Sequence, residues 1–428
     1  MRKVLCLLCM MAASVGFSQS ANHFYLKNVD RVVFYGDSIT AQRLYTMIAE
    51  TYVVTRYPQL NVTFVNSGWG GDTVNGGLGG TIDTRLQRDV IAYNPTVITI
   101  MLGMNDGGYK AETEDNDEKY FNGYRHIVTT VRSALPQIRI TAIEPSPYDD
   151  VTGPPAFPVL SNIHYNDVMM SYGKWIANYA KQANLDVADL NTGLVKTLEN
   201  AKALDPKGAK DIIPGHIHPS FAGHMIMAEE LLKAWKARPV VAAVTIDASR
   251  QEPRIRLAEH TSISRLSGGN GIQWTELDDA LPLPFPQWEA MWGGGAAAGL
   301  VIRSSDITAA LNEEPLKIEG LKSGVYALRI DSKKIGAFNN DELAGGINLA
   351  LMETPMTNQA MKVYDLTVSH GDIHDARWRT VQVSLAPYDL PQTKATMEYL
   401  DALERTVIEK QHEVAQPTPH RFEVIPLS

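Results

Sequence analysis

From Arg31 to about Ala237, short apolar runs alternate with longer amphipathic stretches. Val32–Tyr35, Val62–Val65, Val97–Met101, Ile138–Ile143 and Val187–Leu190 have the length and texture of strands. Between them, Tyr45–Arg56, Thr84–Tyr93, Tyr120–Leu135 and Asn166–Ala183 carry apolar residues at helical spacing. A last stretch, Ala222–Trp235, repeats Met225, Ala228, Leu231, Leu232 and Trp235 in the same way. Strands separated by helices pair in parallel, because parallel neighbours cannot be joined by a tight turn. The pattern therefore predicts one α/β unit of about two hundred residues, within the usual domain range.

The texture changes near Arg238-Pro239. Val240–Asp247 reads as a strand, and Gly- and Pro-rich punctuation follows at 267–271, 282–286 and 293–295. Leu316–Glu319 and Val325–Ile330 alternate as half-buried strands do, and Gly320–Gly324 between them is predicted to be a hairpin connection. Met356–Val381 and Thr393–Val414 turn helical, Pro417-Thr418-Pro419 stops the second of them, and Arg421–Ile425 reads as a final strand. The apolar faces of these late helices need a surface to dock on, so this region is predicted to buttress the first unit.

At 428 residues and 44% hydrophobic, the chain is too long for one small domain and too apolar for wholesale disorder. A net charge of −9, with no run of Lys and Arg, makes the chain a poor candidate for coating nucleic acid or an anionic membrane. Arg2 and Lys3, the apolar run Val4–Phe17 and the small residues Ser18-Gln19-Ser20 read as a cleavable signal peptide over residues 1–20. The expectation is an exported protein, secreted or periplasmic. Both cysteines, Cys6 and Cys9, fall inside that segment, so the remainder has neither disulfide nor thiol nucleophile. No later stretch is apolar enough to span a bilayer.

Four polar or Gly-rich blocks carry the candidate chemistry. Gly36-Asp37-Ser38-Ile39-Thr40 lies between the first strand and a helical pattern, which would expose a serine hydroxyl at the carboxyl end of a parallel sheet. Asn66-Ser67-Gly68-Trp69-Gly70-Gly71-Asp72-Thr73 follows the second strand, and Gly103-Met104-Asn105-Asp106 the third. His216-Ile217-His218-Pro219 precedes the final helix. Singly, each block also reads as an ordinary cap, turn or surface histidine.

Together and in this order, the blocks resemble those of the SGNH hydrolase superfamily, the GDSL-type esterases and lipases, over roughly residues 28–235. The resemblance implies a three-layer α/β/α sandwich with a flavodoxin-like parallel sheet over 21–238, and the pattern described above adds a β-rich and helical C-terminal region over 239–428. It implies a carboxylic ester hydrolase that needs no cofactor and no metal. Ser38 matches the nucleophile and His218 the general base. Ser38, Gly71 and Asn105 match the donors of the oxyanion hole. The chemistry suits those roles: a serine hydroxyl needs a neighbouring base, and the tetrahedral intermediate needs fixed donors for its negative oxygen.

One block departs from the family. The usual aspartate three residues before the histidine is replaced by Gly215. Three readings stay open: the Gly215 carbonyl orients His218, Asp211 folds in from four residues further back, or the site is impaired. His216, His218 and His224 also invite a metal reading, although no cysteine or acidic partner completes a ligand set. Trp69, Tyr109 and Tyr148 are suited to stacking on a sugar face or to walling an acyl pocket. The expected activity is a secreted serine esterase acting on a small-molecule or polysaccharide ester, with carbohydrate deacetylation foremost. The alternatives are a lipase or thioesterase for longer acyl chains, and a carbohydrate-binding protein with impaired catalysis.

Overall fold

The computed structural model describes residues 24–155, 157–291 and 296–427, so the predicted signal peptide lies outside the described residues. Five parallel strands form the central sheet: β1 (Arg31–Gly36), β2 (Thr63–Gly68), β3 (Val97–Met101), β4 (Arg139–Ile143) and β5 (Asp186–Ala188). Their spatial order is β2-β1-β3-β4-β5, the flavodoxin-like order whose reversal at β1 opens a crevice at the strands' carboxyl ends. Helices make the outer layers. Leu44–Arg56 packs on Phe221–Ala234. Glu114–Ala134 meets Tyr165–Ala183 through Tyr120 and Tyr172, whose rings stack 4.0 Å apart. The helix Asn191–Leu204 has no counterpart among the stretches singled out by spacing.

Beyond Arg238 lie two further sheets. One is antiparallel and five-stranded, in the order Thr261–Gly269, Gly271–Asp278, His420–Pro426, Val325–Ile330, Lys333–Asn339. The other is mixed, in the order Ile347–Asn348, Pro315–Glu319, Ala243–Asp247, Arg254–Glu259. Val244, Ile246, Leu316 and Ile318 from the mixed sheet meet Trp274, Leu328, Phe422 and Val424 from the antiparallel one in a single apolar cluster. The predicted hairpin at Gly320–Gly324 is therefore wrong. Pro315–Glu319 and Val325–Ile330 belong to different sheets, and the glycines carry the chain across the gap. Gly320 makes that exit with a positive φ of 78°, pressed so closely on Ser249 that a Cβ would collide with it.

The late helices dock on the α/β unit. Val363, Tyr364 and Ala415 are buried in the same apolar cluster as Val53, Met225 and Leu231. An ionic clamp crosses this junction. His370, on the helix Pro355–Asp375, gives Nε2 to Glu50 Oε1 at 2.6 Å and lies 3.6 Å from Glu404 on the helix Gln392–Val414. Burial opposes charge on His370, yet Glu50 and Glu404 outweigh it and push the imidazole up to about 10. Its stabilising contribution is thus complete below its ordinary pKa of 6.5 and is lost as pH rises through about 10. His370→Ala removes the cation between two carboxylates at a buried junction, leaving Glu50 with Gln411 and Glu404 with His374, and is expected to cost about 3 kcal/mol at neutral pH. Urea unfolding of parent and variant measures this, and a loss under about 1 kcal/mol would show the clamp to be idle.

Candidate active site

The β1 strand ends at Gly36, and Asp37 then caps a single helical turn, Ser38–Ala41, by accepting the Ile39 amide at 2.9 Å. This strand–turn–helix sets Ser38 at the carboxyl end of the sheet. The turn sits tightly on β2, since a Cβ on Gly68 would lie 2.3 Å from the Ala41 nitrogen. Asn66 Nδ2 ties the two together by donating to the Thr40 carbonyl at 2.9 Å.

His218 reaches this turn from the segment before the helix Phe221–Ala234, with Nε2 2.9 Å from Ser38 Oγ. Partial burial holds the imidazole below its ordinary pKa of 6.5, so it is neutral at pH 7 and able to take a proton. Because the base acts when neutral, kcat/KM on an acetyl ester is expected to be flat at pH 7 and to fall in acid with a midpoint below 6.5. A midpoint above 6.5 in the measured pH profile would contradict this assignment.

The chain brings donors to the same place. Gly70 borders Ser38, since a Cβ built on it would lie 4.0 Å from Ser38 Cβ. Gly71 follows with φ of 79° and is exposed. Among the described residues, the backbone amides of Ser38 and Gly71 have no hydrogen-bond partner. Asn105, just past β3, donates one amide proton to the Asp72 carbonyl at 3.0 Å, and its Oδ1 accepts from Tyr109 Oη at 3.3 Å. Behind these donors, burial pushes both Asp37 and Asp106 up to about 7, which limits the negative charge facing a developing oxyanion.

The third triad position is vacant. Among the described residues His218 makes no other hydrogen bond, neither to the Gly215 carbonyl nor to Asp211, which is exposed in the short helix Gly208–Asp211. The carbonyl reading has no hydrogen bond to carry it; Gly215 and His216 both take left-handed backbone, φ 72° and 70°, and the His216 carbonyl and ring both turn to Asp149. A Cβ on Gly215 would meet nothing within 4 Å, and aspartate tolerates left-handed backbone better than most residues. Gly215→Asp is therefore expected to raise kcat about tenfold, by supplying the carboxylate that fixes the tautomer and stabilises imidazolium. An unchanged kcat in a folded variant would show that His218 is already oriented.

The other histidines have separate duties. His216 Nδ1 bonds the Asp149 carbonyl at 2.6 Å. His224 is buried, accepts the Tyr45 amide at Nδ1 and donates Nε2 to Gln42, and burial pushes it down to about 3. Among the described residues, no group of three His, Cys, Asp or Glu side chains is arranged to hold a metal ion. Of the cleft aromatics, Tyr148 is wholly buried. Tyr109 packs on Phe157 and Tyr165, with centroids 5.3 and 5.2 Å away. Trp69 is hemmed in by the guanidinium groups of Arg85, Arg88 and Arg379 at 4.5–5.6 Å, so its ring is engaged by protein rather than open to a sugar. Arg85, Trp378 and Arg379 are the site residues that sequence reasoning missed. No motif marks them, and Trp378 lies 289 residues from the aspartate it binds.

A sequence profile of the GDSL-like Lipase/Acylhydrolase family matches residues 34–226, the stretch that carries all four blocks. The α/β domain belongs to the SGNH/GDSL hydrolase superfamily. The chain is thus a carboxylic ester hydrolase. It is similar to an acetylxylan esterase of Geobacillus stearothermophilus, 26% identical over 224 residues, spanning 48% of this chain and 93% of that protein. A solved structure of a gut microbial diltiazem-metabolizing enzyme matches with a TM-score of 0.79 at 25% identity, covering 94% of this chain and 98% of that one. This second likeness takes in the C-terminal region as well as the α/β domain. A catalytic mutant of an acetylxylan esterase from Geobacillus stearothermophilus, 23% identical, overlays 49% of this chain and 96% of its own, with a TM-score of 0.40.

Proposed function

We propose that this SGNH/GDSL hydrolase is an exported serine esterase that removes acetyl groups from carbohydrates through an acyl-enzyme on Ser38. The observation that carries the reading is the 2.9 Å contact of His218 Nε2 with Ser38 Oγ, near two amides that have no partner among the described residues. In this reading His218 takes the hydroxyl proton as Ser38 Oγ attacks the ester carbonyl. The oxyanion forms against the amides of Ser38 and Gly71 and the Asn105 side chain. Imidazolium returns the proton to the leaving alcohol, and the same base then activates water to release acetate.

The similarity to an acetylxylan esterase supports a carbohydrate acetyl ester. The likeness to a diltiazem-metabolizing enzyme over nearly the whole chain supports a second reading, a small-molecule ester. Both are tested by incubating the protein with acetylated xylan, diltiazem and p-nitrophenyl palmitate, alongside a fluorophosphonate probe. Labelling of Ser38 with acetate release from xylan is the expected result. Faster cleavage of palmitate would favour the long-chain reading, and absence of labelling would favour an impaired, carbohydrate-binding protein. Export is tested by N-terminal sequencing of protein recovered outside the cytoplasm, which should begin near Ala21.

A further inference from the structure

The loop that offers the Gly71 amide is not held by the α/β domain alone. It leaves β2 at Gly68, and the Gly68 carbonyl accepts a hydrogen bond from Arg379 Nη2. Arg379 lies in the segment Ala376–Val383, where the helix Pro355–Asp375 continues as π-helix. Its guanidinium lies 4.5 Å over the Trp69 ring and is itself held by Asp375 at 3.1 Å. Trp378, 1% exposed, meets Trp69 edge to face at 5.4 Å and donates Nε1 to Asp89 Oδ1 at 2.7 Å.

Asp89 leads back to the catalytic loop. It pairs with buried Arg85, which also donates to Asp72 Oδ2 at 2.6 Å and to the Ser67 carbonyl at 2.7 Å. The Asp72 carbonyl in turn holds Asn105 Nδ2. Hydrogen bonds, charge-assisted through Asp89, Arg85 and the Asp72 carboxylate, thus run from the C-terminal segment to Asn105, and Asp72 directly follows Gly71. The same Gly68 backs the nucleophile turn at Ala41. Sustained π-helix is rare and tends to occur where function needs it.

We propose that Arg379, supported by Trp378, is a positioning residue for ester hydrolysis: the C-terminal region clamps Gly68 and Trp69 so that the Gly71 and Asn105 donors face the oxyanion. This rests on the serine esterase reading above. The residue acts through the loop and touches no substrate, so its loss displaces donors without removing them. Displacements of about an ångström cost on the order of a hundredfold in rate.

The test uses the full chain and p-nitrophenyl acetate, with folding checked by circular dichroism. Arg379→Ala is expected to lower kcat about ten- to a hundredfold while KM changes less than about threefold. In an Asn105→Ala background the same substitution is expected to cost at least about threefold less, because part of what it displaces is already gone. A folded Arg379→Ala with kcat within twofold of the parent, or factors that multiply fully in the double variant, would overturn the proposal. If Arg379→Ala does not fold, Arg379→Lys decides. Lysine lacks the planar fork that stacks on Trp69 while bonding Gly68, so kcat should fall several-fold, and parental kcat would overturn the proposal. A parent that hydrolyses no ester overturns the serine esterase reading, and the positioning role falls with it. A parent that turns over while the Arg379 variants match it overturns the positioning alone.

Discussion

Ser38→Ala is expected to lower kcat on p-nitrophenyl acetate by on the order of 10⁴ or more, with the fold intact. In the proposed mechanism the hydroxyl forms the acyl-enzyme, and among the described residues its one side-chain hydrogen bond goes to His218. Removing it deletes the covalent step and leaves only what oriented donors can do for attacking water. Nothing in the packing depends on that oxygen. Ser38 opens a turn capped by the Asp37 side chain, and the buried members of the turn are Ile39 and Thr40. Steady-state kinetics on purified variant, with melting temperature as the control for folding, is the measurement. Retention of more than a tenth of parental kcat would remove Ser38 from the mechanism.

The order and spacing of four short blocks made much of this site legible. The first three blocks sit where parallel strands end, and a sheet of this topology gathers those ends on one edge, while the fourth precedes the helix Phe221–Ala234 and reaches the same edge through His218. Singly ambiguous, the blocks pointed to Ser38, Gly71, Asn105 and His218 only through their joint resemblance to the SGNH family. The strands themselves were legible for a related reason, since apolar runs punctuated by amphipathic helices leave few ways to pair. What local sequence could not carry is contact between distant segments. Gly320–Gly324 has the composition of a hairpin, but which sheet each flanking strand joins depends on partners such as His420–Pro426, far along the chain. Arg85 looks like one more surface charge on a polar helix, yet it is fully buried, because Asp72, Asp89 and three aromatic rings close round it. Trp378 and Arg379 belong to a helix whose pattern announces docking without saying where. The missing partner of His218 was visible as a missing aspartate, but that no carbonyl among the described residues bonds it in that place was not.

Asn105→Ala should lower kcat about 10²- to 10³-fold and leave KM nearly unchanged. The reasoning begins with what the side chain is doing before substrate arrives. One amide proton is spent on the Asp72 carbonyl, and Tyr109 donates to Oδ1, which fixes which end of the amide is nitrogen. The second proton has no acceptor among the described residues, so it is a preorganised donor that needs no rearrangement when charge develops. Ground-state ester oxygen carries little charge and gains little from it, whereas the tetrahedral oxyanion gains a charge-assisted bond. The loss therefore belongs in kcat. Asn105→Asp sharpens the test, because it keeps the shape but places a carboxylate where negative charge must form, and it is expected to be no more active than the alanine variant. A rise in KM at constant kcat for Asn105→Ala would instead make Asn105 a substrate-binding residue, and the oxyanion would then have to rest on the Ser38 and Gly71 amides alone.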